Sequence, residues 1–308
     1  MTDDGRVPGY FPYDVGPPPP VSGLVSDRVD GPLGGTQVLR PRAGTPSVLF
    51  LHGVSLDSAS WTPLVQAAAG ADLPWLLVDV PGFGGSDPLP GPVSLDDLAD
   101  ALVATLDAIG ARDVHLVGHS MGGFLALHLA ARHPDRVRSV ATLNGTYVTV
   151  LDLVNHPVGA ALRHPRTWAT YRAVRLVAGG GRVVQRAVEA GARTGLLRWG
   201  TAGLAAHPSG LPDSLLGALA AGNRPRSFRY AEATGRDYDW RATWRSISVP
   251  VLAGYGDRDR LVTAYDARAL REVLPSAHEV VLGGCSHLSP MERPDAWYAE
   301  LATFWGRA

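Results

Sequence analysis

The strongest constraint on the fold of this chain is a repeated switch between short apolar runs and helical patterns. Val48–Leu51 is an apolar run ending in His52-Gly53, and residues 76–78 are a second, ending in Asp79-Val80-Pro81-Gly82. Residues 114–117 and Val137–Leu143 supply a third and a fourth. Runs this short and this apolar read as strands buried on both faces, the pattern of a parallel sheet covered by helices. The intervening segments agree. Residues 61–69 read as a helix, and Leu95, Leu98, Leu102, Leu106 and Ile109 recur at spacings of three and four, one buried stripe. Ser94 with Asp97 predicts a capping-box start for that helix, and Gly110 its stop. Met121–Arg132 is apolar on nearly every face until Pro134 ends it. The expected class is α/β.

The alternation then stops for about 100 residues, from Gly145 to Ser248. A structureless connection that long inside a compact domain is improbable, so this stretch is expected to be an inserted helical subdomain. It reads as four or five helices, with Pro165, Pro212 and Pro225 in first-turn positions. Strand character resumes at residues 249–255 and 279–282, and residues 295–305 close the chain as a helix. Before the first buried strand the sequence is rich in Pro and Gly, and Pro17-Pro18-Pro19-Pro20 favours an extended segment. Tyr10, Phe11 and Tyr13 are candidates to anchor that segment on the body. Weak strands are expected near residues 25–29 and 36–39.

Composition removes several chemistries. All 28 basic residues are Arg. Without a Lys there is no Schiff-base or pyridoxal-phosphate chemistry, no Walker-type phosphate loop and no protein-kinase site. The scarcity of Ile and Asn beside abundant Ala, Gly, Pro and Arg traces this bias to a GC-rich genome, so it filters functions without naming one. The net charge of −1 exerts no global pull on nucleic acid. One cysteine, Cys285, allows no internal disulfide, and no apolar stretch approaches the ~18 residues of a membrane span. The opening Met1-Thr2-Asp3-Asp4 has no signal-peptide character. The expectation is a cytoplasmic protein.

Gly118-His119-Ser120-Met121-Gly122 matches G-x-S-x-G and falls between a buried strand and a helix, where a nucleophile elbow must lie. Ser needs a base and an orienting acid, expected further along the chain in the order acid, then His. His287 follows the strand at 279–282, and Asp257 and Asp259 follow the one at 249–255. Both strands end where ligands of open α/β sheets bind. Asp259 is the expected acid, with Asp257 as the alternative. Oxyanion donors are expected from the Met121 and Val54 amides, the latter after His52-Gly53. His115, His128 and His133 read as structural, and Cys285 as a small buried residue. No metal or organic cofactor is implied.

Taken together, His52-Gly53, Asp79-Val80-Pro81-Gly82-Phe83-Gly84-Gly85-Ser86-Asp87, Gly118-His119-Ser120-Met121-Gly122-Gly123, Gly256-Asp257-Arg258-Asp259 and Cys285-Ser286-His287 resemble the α/β-hydrolase fold superfamily. The order and spacing agree over about residues 25 to 308. The resemblance implies an eight-stranded, mostly parallel sheet with helices on both faces. It also implies a helical cap over the site, which gives a core of residues 25–145 and 249–308 and a cap at 146–248. The first forty-odd residues match no motif of the family, and the Pro/Gly-rich residues 1–24 are expected to be an extended arm. It favours Asp259, the second Asp of its turn, as the acid. Epoxide hydrolases and haloalkane dehalogenases carry Asp at the nucleophile position, and Ser120 argues against both.

The implied activity is hydrolysis of a carboxylic ester, thioester, lactone or amide of a small acyl substrate through Ser120. Alternatives are carbon–carbon bond hydrolysis, perhydrolysis or haloperoxidation, acyl transfer, and a non-turnover ligand receptor on the same fold. Residues 146–248 hold 14 Arg against 6 acidic residues. Such a cap could attract an anionic substrate or an acyl carrier protein, or simply be a solvated face. Trp168, Tyr171, Leu196, Leu197, Trp199, Phe228 and Tyr230 are candidates to line its pocket.

Overall fold

The computed structural model describes residues 9–68, 74–145 and 147–306. The start of the arm, the end of the first expected helix at Ala69 and the boundary residue 146 lie outside these. The strands are β1 (Leu24–Gly31), β2 (Gly34–Pro41), β3 (Val48–Leu51), β4 (Trp75–Val78), β5 (Val114–His119), β6 (Val137–Leu143), β7 (Val251–Gly256) and β8 (His278–Leu282). They form one sheet in the order β1-β2-β4-β3-β5-β6-β7-β8. β1 with β2 and β2 with β4 are antiparallel, and every other pairing is parallel. Strand order reverses at β3, which pairs with β4 on one side and β5 on the other, and such a reversal leaves a crevice beyond the strand ends. Register brings those ends level: Leu51 pairs with Gly118, His119 with Leu143, Leu143 with Gly254, and Gly256 with Leu282.

Between β3 and β4 runs α1 (Thr62–Ala67), before β5 runs α2 (Leu95–Ile109), and after it α3 (Met121–Arg132). Eight α-helices lie between β6 and β7 among the described residues. They are α4 (Val148–Asn155), α5 (Pro157–Arg163), α6 (Pro165–Ala178), α7 (Arg182–Thr194), α8 (Leu197–Gly200), α9 (Asp213–Ala221), α10 (Pro225–Thr234) and α11 (Trp240–Arg245). The chain closes with α12 (Ala264–Val273), α13 (Ser289–Glu292) and α14 (Pro294–Trp305).

Side chains alternate across a strand, so each buried run feeds two cores. Leu49, Leu51, Leu76, Val78 and Leu116 join the apolar faces of α2 and α3. Val48, Phe50, Trp75, Leu77 and Val117 join α1 and the Trp297, Leu301 and Phe304 face of α14. Each large apolar side chain so buried contributes about 1.5–3 kcal/mol. The α2 stripe is buried as expected, both halves of the Ser94–Asp97 capping box are formed, and Gly110 takes the left-handed stop at φ 80°.

The inserted segment is more broken than the four or five helices expected. Pro157 and Pro165 each restart the helix, because the residue before a proline is pushed out of helical conformation; His156 and His164 have φ near −132° and −131°. Pro165 and Pro225 open α6 and α10, but Pro212 is the residue before α9 and not in its first turn. The α12 helix had no apolar stripe long enough to announce it; its start is a capping box of Thr263 and Asp266. Asp266 also accepts from the Thr149 amide at 2.6 Å, which ties α12 to the start of α4.

The N-terminal segment is docked through the aromatic residues singled out above. Tyr10 and Phe11 are buried in a cluster with Leu211, Leu215, Leu288 and Met291. The Phe11 amide donates to the Glu292 carbonyl at 3.0 Å, and Tyr13 donates to Asp295 at 3.0 Å. Among the described residues no helix is long and apolar enough to cross a membrane.

Candidate active site

Ser120 stands between β5 and α3 at φ 56°, ψ −123°, a strained conformation for a residue with a side chain. The turn closes because its neighbours are glycines. A Cβ on Gly118 would lie 2.2 Å from the Gly122 carbonyl oxygen, and one on Gly122 would lie 2.1 Å from that of Leu51. These are backbone contacts that cannot yield. The elbow therefore presses directly on the end of β3.

Three residues from three strand ends converge there. His287 Nε2 lies 3.0 Å from Ser120 Oγ, and its Nδ1 lies 2.9 Å from Asp259 Oδ2. With a carboxylate at Nδ1, that nitrogen carries the proton and Nε2 is free to accept from the serine hydroxyl. Asp259 is fixed by two further donors, the Leu261 amide at 2.7 Å on Oδ1 and Asn144 Nδ2 at 2.6 Å on Oδ2. Asp257 lies apart from His287 and accepts from the Gly284 amide at 2.8 Å, shaping the turn. Of the two candidate acids, only Asp259 is bonded to the imidazole.

The loop after β3 is held by His52. Its Nδ1 donates to the Gly53 carbonyl at 2.8 Å, and its Nε2 accepts from the Val80 amide at 3.0 Å. Among the described residues the amides of Val54 and Met121 donate to no protein acceptor, and both residues line the same cavity as Ser120. His119 donates from Nε2 to the His287 carbonyl at 2.8 Å. Burial holds its pKa down at about 3, so it stays neutral beside the site. His115, His128 and His133 bond to Ser139, to Tyr238 and Asp96, and to Asp100, away from Ser120. Cys285 is buried, and burial pushes its thiol up and away from reactivity.

Two residues of the site were not anticipated. Asn144, in a left-handed conformation at the end of β6, links Asp259 to the Ser286 carbonyl (3.1 Å) and accepts from Ser289 Oγ. Tyr147 Oη bonds to Ser120 Oγ and lies 3.3 Å from His287 Nε2, its ring stacked on the imidazole at 15°. The rule that chemistry collects at the carboxyl ends of parallel strands points to Asn144. For Tyr147, just before α4, no sequence pattern serves.

A cavity of about 210 Å³ extends from Ser120 and His287 into the helices between β6 and β7. Its wall is largely apolar, with Val150, Leu151, Val174, Val177 and Phe228 among the lining residues. Of the aromatic and leucine candidates, Tyr171, Leu197 and Phe228 line it. Trp168, Leu196 and Trp199 do not, and are exposed: Trp168 and Trp199 fall on outer helix faces, since successive helical residues turn by ~100°, and Leu196 lies in the turn before α8. Tyr230 is also off the cavity, with its hydroxyl taking a bond from Arg226. At the wall Glu232 accepts from Tyr171 Oη and pairs with Arg175 at 2.8 Å.

The alpha/beta hydrolase fold family matches residues 46–294, and the chain belongs to that family. It is 28% identical to the pimeloyl-[acyl-carrier protein] methyl ester esterase of Vibrio atlanticus (strain LGP32), over 84% of this chain and 94% of that one. It is 38% identical to a protein named "Putative carbamate hydrolase RutD" from Caulobacter segnis, but over only 34% of this chain and 40% of that relative's length. The carboxylesterase CesB of Bacillus subtilis superposes with a TM-score of 0.69 at 19% identity, covering 92% of each chain, a likeness of fold alone. The family shows the fold, and both sequence relatives are named for a hydrolytic activity.

Proposed function

We propose that this protein is a serine hydrolase that cleaves a carboxylic ester, or a related thioester, lactone or amide, through an acyl-enzyme on Ser120. The observation that carries the reading is the bonded row Ser120–His287–Asp259 at the base of an apolar cavity. Ser120 Oγ attacks the acyl carbon as its proton passes to His287 Nε2. Asp259 holds the imidazole in the required tautomer and stabilises the imidazolium. The tetrahedral oxyanion takes hydrogen bonds from the Val54 and Met121 amides, each such donor being worth about 3–4 kcal/mol in the transition state. Collapse expels the leaving group with the proton from Nε2, and water activated by the same nitrogen then releases the acid.

Residues 146–248 act in this reading as a cap whose inner wall receives an apolar acyl chain. Their excess of Arg, 14 against 6 acidic residues, suits an acyl group delivered on an acidic carrier, in line with the name of the Vibrio relative. The test of the central claim is covalent labelling with a fluorophosphonate. Intact-mass analysis is expected to show one adduct on the folded protein and none on Ser120→Ala. Absence of the adduct from the folded wild type would refute it.

A further inference from the structure

We propose that Tyr147 is a catalytic residue that donates a hydrogen bond to the leaving-group atom, giving the site a preference for poor, alkoxide-type leaving groups. The proposal rests on the serine-hydrolase reading above. Tyr147 Oη is bonded to Ser120 Oγ and lies 3.3 Å from His287 Nε2, so it touches both atoms of the proton path. The two ring planes lie within 15° of each other with centroids 6.2 Å apart, and the 3.3 Å contact sets the hydroxyl at the Nε2 edge of the imidazole.

That placement selects one role over another. Oxyanion donors are expected from the Val54 and Met121 amides, whereas Nε2 marks the direction in which the leaving group departs. A hydroxyl shared between Oγ and Nε2 belongs to the leaving side. When Oγ becomes bonded to the acyl carbon, it is a weaker acceptor and the phenol is released to a new partner. The nearest new acceptor is the heteroatom whose bond to that carbon is breaking. His287 Nε2 supplies the proton that ends on this atom, and the phenol keeps its own, supplying only a hydrogen bond to the growing negative charge. Burial pushes the phenol's pKa well up, so it remains a neutral donor throughout the working pH range.

Charge build-up on the departing atom is large for an alkoxide and small for p-nitrophenolate. Loss of the donor must therefore cost the two unequally. The experiment compares the ethyl and p-nitrophenyl esters of one acyl chain, the chain from two to twelve carbons on which the wild type is fastest. It uses wild type and Tyr147→Phe, which keeps the ring and its packing. The quantity is kcat/KM, which reports only steps up to formation of the acyl-enzyme. The ethyl ester is expected to lose at least ten times more than the p-nitrophenyl ester, within the ~10²–10⁴-fold range of a positioned acid or donor. An equal loss on both esters would mean that Tyr147 only orients Ser120, and no loss on either that it only fills space; each overturns the proposal. Fluorophosphonate labelling of the variant separates this from failure of the underlying reading. A labelled Tyr147→Phe with an unchanged ester ratio rejects the role of Tyr147 alone, while an unlabelled wild type rejects the serine nucleophile.

Discussion

Replacing Glu292 by Gln is expected to remove a pH-dependent penalty on stability. Glu292 lies in α13 and is fully buried. Its oxygens accept from the Ser286 amide at 3.0 Å and from the Ala206 amide at 3.2 Å, and Tyr10 also hydrogen-bonds to it. These donors favour the carboxylate, yet desolvation outweighs them and nearby Asp259 adds to it, so its pKa is pushed up to about 7 from an ordinary 4.5. Between those two values the folded chain binds more protons at this site than the unfolded chain. Stability from this group is therefore full below pH 4.5 and is lost as pH rises through 7. At 1.36 kcal/mol per unit, the loss between pH 5 and pH 8 is roughly 2–3 kcal/mol. His119 works in the opposite sense. Its pKa of about 3 lies below the ordinary 6.5, so it contributes stability that grows as pH rises across that interval. The wild-type profile between pH 5 and 6.5 therefore mixes two opposing slopes, and only the difference from Glu292→Gln isolates the carboxyl. Urea unfolding of both proteins at pH 5, 6, 7 and 8 measures it. The amide also turns a donor toward the Ala206 or Ser286 amide, but that offset does not vary with pH. The variant should gain on the wild type by roughly 2–3 kcal/mol from pH 5 to pH 8; a gain below about 1 kcal/mol would show that the buried carboxyl is not held protonated.

Two further outcomes follow from the site. In Asp259→Asn the amide NH2 must face either Leu261 N–H or the Asn144 and His287 donors, since all three bond to the carboxylate as donors. With NH2 turned toward His287 and the amide oxygen toward Leu261 N–H, the imidazole tautomer is lost, and kcat on the best p-nitrophenyl ester should fall about 10⁴-fold, against less than tenfold for Asp257→Asn; the reverse pattern would make Asp257 the acid. Gly122→Ala places a methyl 2.1 Å from the Leu51 carbonyl oxygen. Because backbone must move, the cost should reach about 3 kcal/mol in a urea titration, the upper end of ordinary overpacking, and a loss under 1 kcal/mol would mean that β3 and α3 can separate freely.

How far the residues alone reach differs along the chain. Val48–Leu51, Leu95–Ile109, Met121–Arg132 and Val137–Leu143 are elements whose periodicity, caps and prolines act over a few neighbours, and those are local forces. The same locality explains why the elbow was legible: a serine flanked by glycines between a strand and a helix has one way to turn. Pro165 opens a helix as its position predicts, whereas the break at Pro157 has no such signal, because a marginally apolar helix can pass or stop at a proline depending on what it packs against. Asn144 follows a strand end, where a general rule points, but its partner, like that of Tyr147, has no local signal. Each acts through a partner more than twenty residues away, Asp259 or Ser120, and no local pattern encodes such a distance.

The sequence by itself determined the buried strands, the helices between them, and that Ser120, His287 and one of two aspartates follow strand ends, because burial, period and turn chemistry are properties of short segments. Tertiary structure decided the rest. It separated Asp259 from Asp257, since only the packed register of β7 against β8 sets one carboxylate on the imidazole and the other on a turn amide. It also chose which faces of the inserted helices line the cavity, because a helix that is apolar on several sides is oriented by its neighbours and not by its own pattern.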